Sequence, residues 1–200
     1  MGELVHNKQV VYSLEENGIE FIESIDEITD KNSKLIVRAH GIPKETYELI
    51  KTKSVELLDL TCPNVLNVHK IVEEYSNNGF YIVLVGKKKH PETIGTISFC
   101  GENSYIIENE EDVENALDNF KTTGINKLLL ISQTTFSLKK FDEFKEKIEN
   151  SINSDIEFVV KNTICNATEI RQKETEQLSK EVDMMIIVGG KNSSNTRKII

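Results

Sequence analysis

The order of apolar runs along this 200-residue chain predicts an α/β fold, with parallel sheets covered by helices. Two observations carry that prediction. Apolar runs of strand length alternate with stretches of helical periodicity almost from end to end. In addition, one unit occurs twice: a strand, a cysteine turn, a helix, a second strand and a polar loop. Cys62 follows one apolar run and Gly86 ends the next, 24 residues on; Cys165 and Gly189 repeat the pattern at the same spacing. A repeated unit predicts pseudo-equivalent α/β modules, with Cys62 and Cys165 at equivalent positions.

The predicted strands, in order, are Ile19 to Ile22, Lys34 to Val37, Val55 to Leu60, Phe80 to Val85, Ser104 to Ile107, Lys127 to Ile131, Ile156 to Val160 and Met184 to Val188. Between them, helical spacing of apolar residues predicts helices over Lys44 to Lys53, Val65 to Ser76, Glu111 to Phe120, Leu138 to Ser151 and Thr168 to Lys180. Gly18 and Gly79 stand where helix C-caps are expected, and Ser137 is placed to cap the helix that begins at Leu138. The modules are expected to divide as residues 1–61, 62–160 and 161–200, with the middle one whole and the outer two partial.

Composition narrows the function. With 38% hydrophobic and 28% charged residues, the chain has the make-up of a folded soluble protein. A net charge of -9 argues against non-specific binding to nucleic acid or to an anionic membrane. No apolar run reaches membrane-spanning length and no basic segment leads into an apolar signal core, so a cytoplasmic location is expected. Three cysteines, far apart and without a C-x-x-C pair, make neither a disulfide framework nor a zinc ribbon.

Several strands run into polar loops: Arg38-Ala39-His40-Gly41, Gly86 to Glu92, Ser132-Gln133-Thr134-Thr135, and Gly189 to Asn195. Ligands of parallel sheets bind beyond the carboxyl ends of the strands, where these loops lie. Cys100 ends a short apolar segment and is expected to be a buried thiol. Cys62 and Cys165 each lie in a turn before a helix, where N–H donors and the helix dipole favour a thiolate, and a metal or cluster role is expected for the pair. His6, His40 and His90 are candidate functional imidazoles; taken singly, each fits a surface or locally hydrogen-bonded ring better, the role expected of His69. Glu92 is either a carboxylate stabilised at a helix N-terminus or, if shielded from water, a proton donor. Ser193-Ser194-Asn195 either cap a helix or offer hydroxyl, amide and backbone donors to a phosphate. Lys87 to Lys89 are expected to be a solvated loop with a minor part in attracting an anion.

The order of Val5-His6-Asn7, Ala39-His40-Gly41, Thr61-Cys62-Pro63, His90-Pro91-Glu92, Gln133-Thr134-Thr135, Cys165-Asn166-Ala167-Thr168 with Arg171-Gln172, and Lys191 to Asn195 resembles one family over essentially the whole chain. It is the 4-hydroxy-3-methylbut-2-enyl diphosphate reductases, LytB-type iron-sulfur enzymes of the non-mevalonate isoprenoid pathway. The resemblance implies three α/β modules in a trefoil around a 4Fe-4S cluster, with Cys62 and Cys165 as two of its three cysteine ligands. It implies an allylic diphosphate substrate, reduced by two electrons with loss of its hydroxyl to give isopentenyl and dimethylallyl diphosphates. His6, His40 and His90 would line the substrate pocket, Ser193, Ser194 and Asn195 would bind the diphosphate, and Glu92 would deliver protons with help from Thr134. A ferredoxin or flavodoxin is implied as electron donor.

The family's first cysteine lies upstream of the Val-His-Asn motif, so the third ligand is expected to be absent from this chain, and a further diphosphate-binding serine is expected to lie beyond Ile200. The chain is therefore expected to be an internal fragment or a truncated product. The competing expectation is a cluster-free diphosphate-binding remnant or a part of a larger fusion protein. A thiol hydrolase built on Cys62 would need a base within hydrogen-bond reach, for which the sequence offers no evidence.

Overall fold

In a computed structural model, residues 7–30, 32–190 and 196 are described. Their elements run α1 (Lys8–Glu16), β1 (Lys34–Val37), α2 (Lys44–Lys53), β2 (Glu56–Asp59), α3 (Pro63–Asn77), β3 (Tyr81–Val85), α4 (Pro91–Ile97), β4 (Ser104–Ile107), α5 (Glu110–Thr123), β5 (Lys127–Ser132), α6 (Leu138–Glu149), β6 (Glu157–Lys161) and α7 (Asn166–Ser179). All ladders are parallel. The chain separates into two compact units, residues 63–165 and residues 1–62 with 166–200.

The 63–165 unit holds a four-stranded sheet in the order β4-β3-β5-β6. β3 and β5 are its inner strands, and their alternate side chains enter two cores, as the period of two in a strand requires. Tyr81, Val83, Val85, Leu128 and Leu130 meet Val113, Leu117 and Phe120 of α5 and Phe141, Phe144 and Ile148 of α6. Ile82, Leu84, Leu129 and Ile131 meet Val68 and Val72 of α3 and Cys100. Each fully buried aliphatic side chain of this kind stabilises the fold by about 1.5–3 kcal/mol. The helices are capped from the sequence: Asn109 and Asp112 form a reciprocal box at the start of α5, Gly124 closes that helix at φ 69°, and the Ser137 hydroxyl caps α6.

From β3 the chain goes first to β4 on one side and then to β5 on the other. The strand order reverses beyond Val85 and Ser132, the kind of switch point at which parallel sheets bind ligands.

The other unit contains a two-stranded sheet, β1 with β2, in register Ile36 with Leu58. Its core joins Ile25, Leu35, Val37, Ile42 and Ile50. Two predicted strands do not form. Residues Ile19 to Ile22 make no ladder; Phe21 and Ile22 instead line a cleft of about 590 Å³ with Leu35 and Ile36. Met184 to Val188 make no ladder, and Met184, Ile186 and Val188 are 79%, 81% and 93% exposed. With no burial to offset the backbone ordering cost, roughly 1–2 kcal/mol per residue, the run stays irregular. Two helices absent from those predicted by apolar spacing are α1, capped by Asn7, and the seven-residue α4, whose first turn holds Glu92 at a helix N-terminus as one reading of that residue had it.

The internal repeat is nevertheless visible in local packing. A Cβ on Gly86 would meet the Thr93 hydroxyl, and one on Gly189 would meet the Thr196 side chain, seven residues on in both cases. Among the described residues no helix is long and apolar enough to cross a membrane.

Candidate functional site

The strand ends at the switch point of the 63–165 unit are assembled around Gly86, the first residue after β3. Its amide donates to the Ile107 carbonyl at 3.0 Å. A Cβ there would lie 2.8 Å from Thr93 Oγ1 and 3.2 Å from Gln133 Cβ, so only glycine allows the strand end, α4 and the loop after β5 to close on one another. Gln133 then ties them together. Its Oε1 accepts from the Lys87 amide at 3.1 Å and the Thr93 hydroxyl at 3.2 Å, and its Nε2 donates to Thr135 Oγ1 at 2.8 Å.

His90 and Glu92 stand at the start of α4. His90 Nδ1 accepts the Glu92 amide at 3.2 Å, an N-cap made by an imidazole. An accepting Nδ1 places the ring proton on Nε2. Pro91 follows as the first helical residue, where its missing N–H costs nothing. Glu92 is 2% exposed, and its Oε1 accepts the Thr134 amide at 2.6 Å. The carbonyl of the same residue, Thr134, accepts the Cys165 amide at 2.7 Å. One residue of main chain thus holds a buried carboxylate on one side and a cysteine on the other.

Cys165 follows β6 and immediately precedes α7. The segment before it is clamped by Thr163, whose hydroxyl accepts the Ser132 amide at 3.1 Å and donates to the Ser132 carbonyl. The Cys165 sulfur accepts an N–H from Asn64 Nδ2 at 3.2 Å.

The loop that delivers His90 is anchored as well. Lys88 donates its amide to Glu108 Oε2 at 2.9 Å and its ammonium to the buried Asp112, while it stays exposed to solvent as the sequence suggested. Burial acts to raise the Asp112 carboxyl, but bonds from Lys88, Glu108 and Asn109 outweigh it and hold the carboxyl below the ordinary range. The bond to Asp112 raises the Lys88 ammonium.

In the other unit, His40 and Cys62 are neighbours through the backbone. The turn Arg38 to Gly41 closes with the Gly41 amide on the Arg38 carbonyl at 3.0 Å and with Gly41 at φ 74°. The Cys62 amide donates to the Ala39 carbonyl at 3.0 Å, which sets Cys62 against that turn. Thr61 before it is fixed by Asp59 Oδ1, at 2.9 Å from its amide and 2.5 Å from its hydroxyl, and Tyr47 donates to Asp59 Oδ2 at 3.0 Å. Cys62 then leads into α3 through Pro63.

Of the candidates named from sequence, His90, Glu92, Thr134 and Cys165 come together in one unit, while His40 and Cys62 adjoin in the other. His6, Ser193, Ser194 and Asn195 lie outside the described residues. Cys100 is fully buried, and burial pushes its thiol up to about 12. His69 is buried and stacks on Phe99 with ring centroids 4.4 Å apart; it is a packing residue and not a surface one. The cleft beside Leu35 contains none of the candidates. Sequence reasoning missed Thr93 and Asn64, and marked Gly86 only as the end of a strand. A glycine closing an all-apolar strand was the available signal for Gly86, while Asn64 meets Cys165 only through tertiary contact.

Among the described residues no group of three or more His, Cys, Asp or Glu side chains is arranged to hold a metal ion. The two cysteines are nonetheless donors of the kind an iron-sulfur cluster takes. Each precedes a helix whose N-terminus favours negative charge, and Cys165 already accepts an N–H at sulfur.

The family model described as LytB protein matches residues 1–200. A 4-hydroxy-3-methylbut-2-enyl diphosphate reductase of Alkaliphilus oremlandii is 42% identical over the whole chain, which spans 68% of that protein. One of Caldanaerobacter subterraneus is 44% identical, with 66% of its length spanned. A solved (E)-4-hydroxy-3-methyl-but-2-enyl diphosphate reductase, the terminal enzyme of the non-mevalonate pathway, superposes with a TM-score of 0.76 at 38% identity, covering all of this chain and 68% of that one. The corresponding reductase of Plasmodium falciparum gives 0.85 at 33% identity, over 99% of this chain and 60% of that one. The chain thus spans about two thirds of the length of its curated relatives. With one family matched from end to end and the same fold found in its solved members, this chain belongs to the LytB family of 4-hydroxy-3-methylbut-2-enyl diphosphate reductases.

Proposed function

We propose that the protein carrying this chain reduces 4-hydroxy-3-methylbut-2-enyl diphosphate to isopentenyl and dimethylallyl diphosphates. One observation supports this above the others: the Thr134 main chain joins the buried Glu92 carboxylate to Cys165, putting an acid beside a cluster ligand. Cys62 and Cys165 supply two of the three thiolates, and the modules 1–61, 62–160 and 161–200 form the trefoil. A bound 4Fe-4S cluster supplies the electrons and a Lewis-acidic iron for the substrate oxygen.

This chain's residues do the rest. The allylic alcohol takes up two electrons and two protons and loses its hydroxyl as water. Hydroxide is a poor leaving group, so a proton delivered to that oxygen lowers the barrier, and Glu92, shielded from solvent, delivers it. The Thr134 hydroxyl steadies the substrate hydroxyl. His90 donates from Nε2, because its Nδ1 is committed to the α4 cap. His6, His40, Ser193, Ser194 and Asn195 hold the diphosphate through charge-assisted and neutral donors, which an acidic protein needs for an anionic ligand. Electrons come from a ferredoxin or flavodoxin, and the protein works in the cytoplasm.

The test is anaerobic reconstitution with iron and sulfide of the protein expressed from its full reading frame, followed by iron analysis and turnover with a reduced viologen dye. Stoichiometric iron and conversion of the diphosphate are expected, and Glu92→Gln should keep its iron while losing turnover. A protein that binds no iron, or a Glu92→Gln variant with full turnover, would overturn the proposal.

A further inference from the structure

We infer that Asn64 is a positioning residue for the sulfur of Cys165, holding it with an N–H···S bond that also raises the reduction potential of the cluster. The inference rests on the proposed function, since it assigns Cys165 as a ligand. Asn64 Nδ2 lies 3.2 Å from Cys165 Sγ across 101 residues of chain, so a tertiary contact, not local sequence, selects this pairing.

Asn64 is the second residue of α3, behind Pro63, and is exposed. Its carboxamide could turn to water, yet it meets the sulfur. A sulfur that ligates iron only accepts, and the atom facing Cys165 Sγ is the Asn64 donor, Nδ2. The main-chain N–H of Cys165 is committed to the Thr134 carbonyl at 2.7 Å. Among the described residues, the Asn64 side chain is a donor to this sulfur.

The contact has a consequence for redox chemistry. A cluster gains negative charge on reduction, and that charge spreads onto its sulfur ligands. An N–H dipole aimed at one of them stabilises the reduced state more than the oxidised state, which moves the potential upward. Asn64 is neutral, so it does this without putting a cation beside the sulfur. It also ties the first turn of α3 to the last residue of the same unit, fixing where the sulfur points.

The experiment is an EPR-monitored redox titration of the reconstituted protein, with iron per chain measured in parallel, for wild type, Asn64→Ala and Asn64→Asp. Both variants are expected to hold wild-type iron and to titrate at a lower midpoint potential. Asn64→Asp, which keeps the shape but replaces donor by negative charge, should be the lower of the two. Wild-type midpoints in both variants at full iron content would overturn the inference and leave the proposed function standing. Loss of iron with an unshifted midpoint in the remaining cluster would show a purely structural residue and would also overturn it. A wild-type protein that takes up no iron would remove the proposed function and this inference together.

Discussion

The two units use the same local grammar of strand, polar turn and helix, yet they bury very different amounts of it. In the 63–165 unit the inner strands are sealed on both faces: every residue from Tyr81 to Val85 and from Leu128 to Ile131 is at most 1% exposed. In the other unit all four residues of β2 are exposed, and Leu57, Leu58 and Leu60 retain 37%, 49% and 46% of their surface. A strand with partners on both edges and helices on both faces can afford side chains apolar throughout, whereas a two-stranded sheet consists of edges. The difference extends to how functional groups are held. Glu92 and Cys165 are fixed by bonds between segments far apart in sequence, while the turn bearing His40 is closed by its own backbone and meets Cys62 through one further amide.

That contrast can be broken most strongly in the sealed sheet. Leu130→Ala removes a fully buried side chain from β5 and should cost about 3–5 kcal/mol in urea unfolding, the upper part of the range for such truncations. A loss below about 1 kcal/mol would mean that the sheet is not the rigid frame described. Next comes chemistry on that frame. Glu92→Gln keeps an oxygen for the Thr134 amide but cannot release a proton, so turnover should fall about 100-fold or more with the melting temperature nearly unchanged. Gly86→Ala tests the closure itself: its methyl would press on Thr93 and Gln133 and should cost about 1–3 kcal/mol.

The anchor of the His90 loop gives a smaller effect with a characteristic pH dependence. Asp112→Asn should cost about 1–2 kcal/mol at neutral pH, judged from the loss of a helix cap. The Asp112 carboxyl is depressed in the folded state, so its contribution is complete above the ordinary aspartate pKa of about 3.9 and disappears as pH falls through the lower native value. The raised Lys88 ammonium works in the opposite sense: its contribution is complete below its ordinary value and is lost as pH rises through the native one. Stability curves of wild type and Asp112→Asn should therefore converge on acidification; a constant gap down to about pH 2 would rule out the ion pair as the cause. At the far end of the scale, Leu58→Ala on the exposed β2 should change stability by less than about 0.5 kcal/mol.

Much of the sealed unit was legible in the sequence because burial on both faces leaves an unbroken apolar run, as in Tyr81 to Val85, followed by an abrupt change to polar residues. The boundaries of β1 and β4 coincide with those expected, and β5 extends one residue further, to Ser132. Ile19 to Ile22 and Met184 to Val188 have the same apolar character, but a strand is a pairing and not a property of one segment; neither run finds a ladder partner among the described residues. The α4 helix was hidden for the opposite reason. Its buried positions are Glu92, Thr93, Gly95 and Thr96, polar or small residues that give no hydrophobic period. Glu92 was conspicuous beside His90 and Pro91, but its partner, the amide of Thr134, lies 42 residues away and carries no sequence signature at all.

That last contact has a consequence for genetics. Because the tie between acid and cysteine is made by the amide and carbonyl of residue 134, replacing the Thr134 side chain leaves both bonds available. A scan of side chains would register only the hydroxyl and would pass over the link that sets the spacing of the two groups. Proline at 134, which removes the donating N–H, or an ester in place of that amide, is the substitution able to expose it. The connection most relevant to the proposed proton delivery is thus sheltered from most point mutations, since it is written in the one part of the chain that nearly every residue shares.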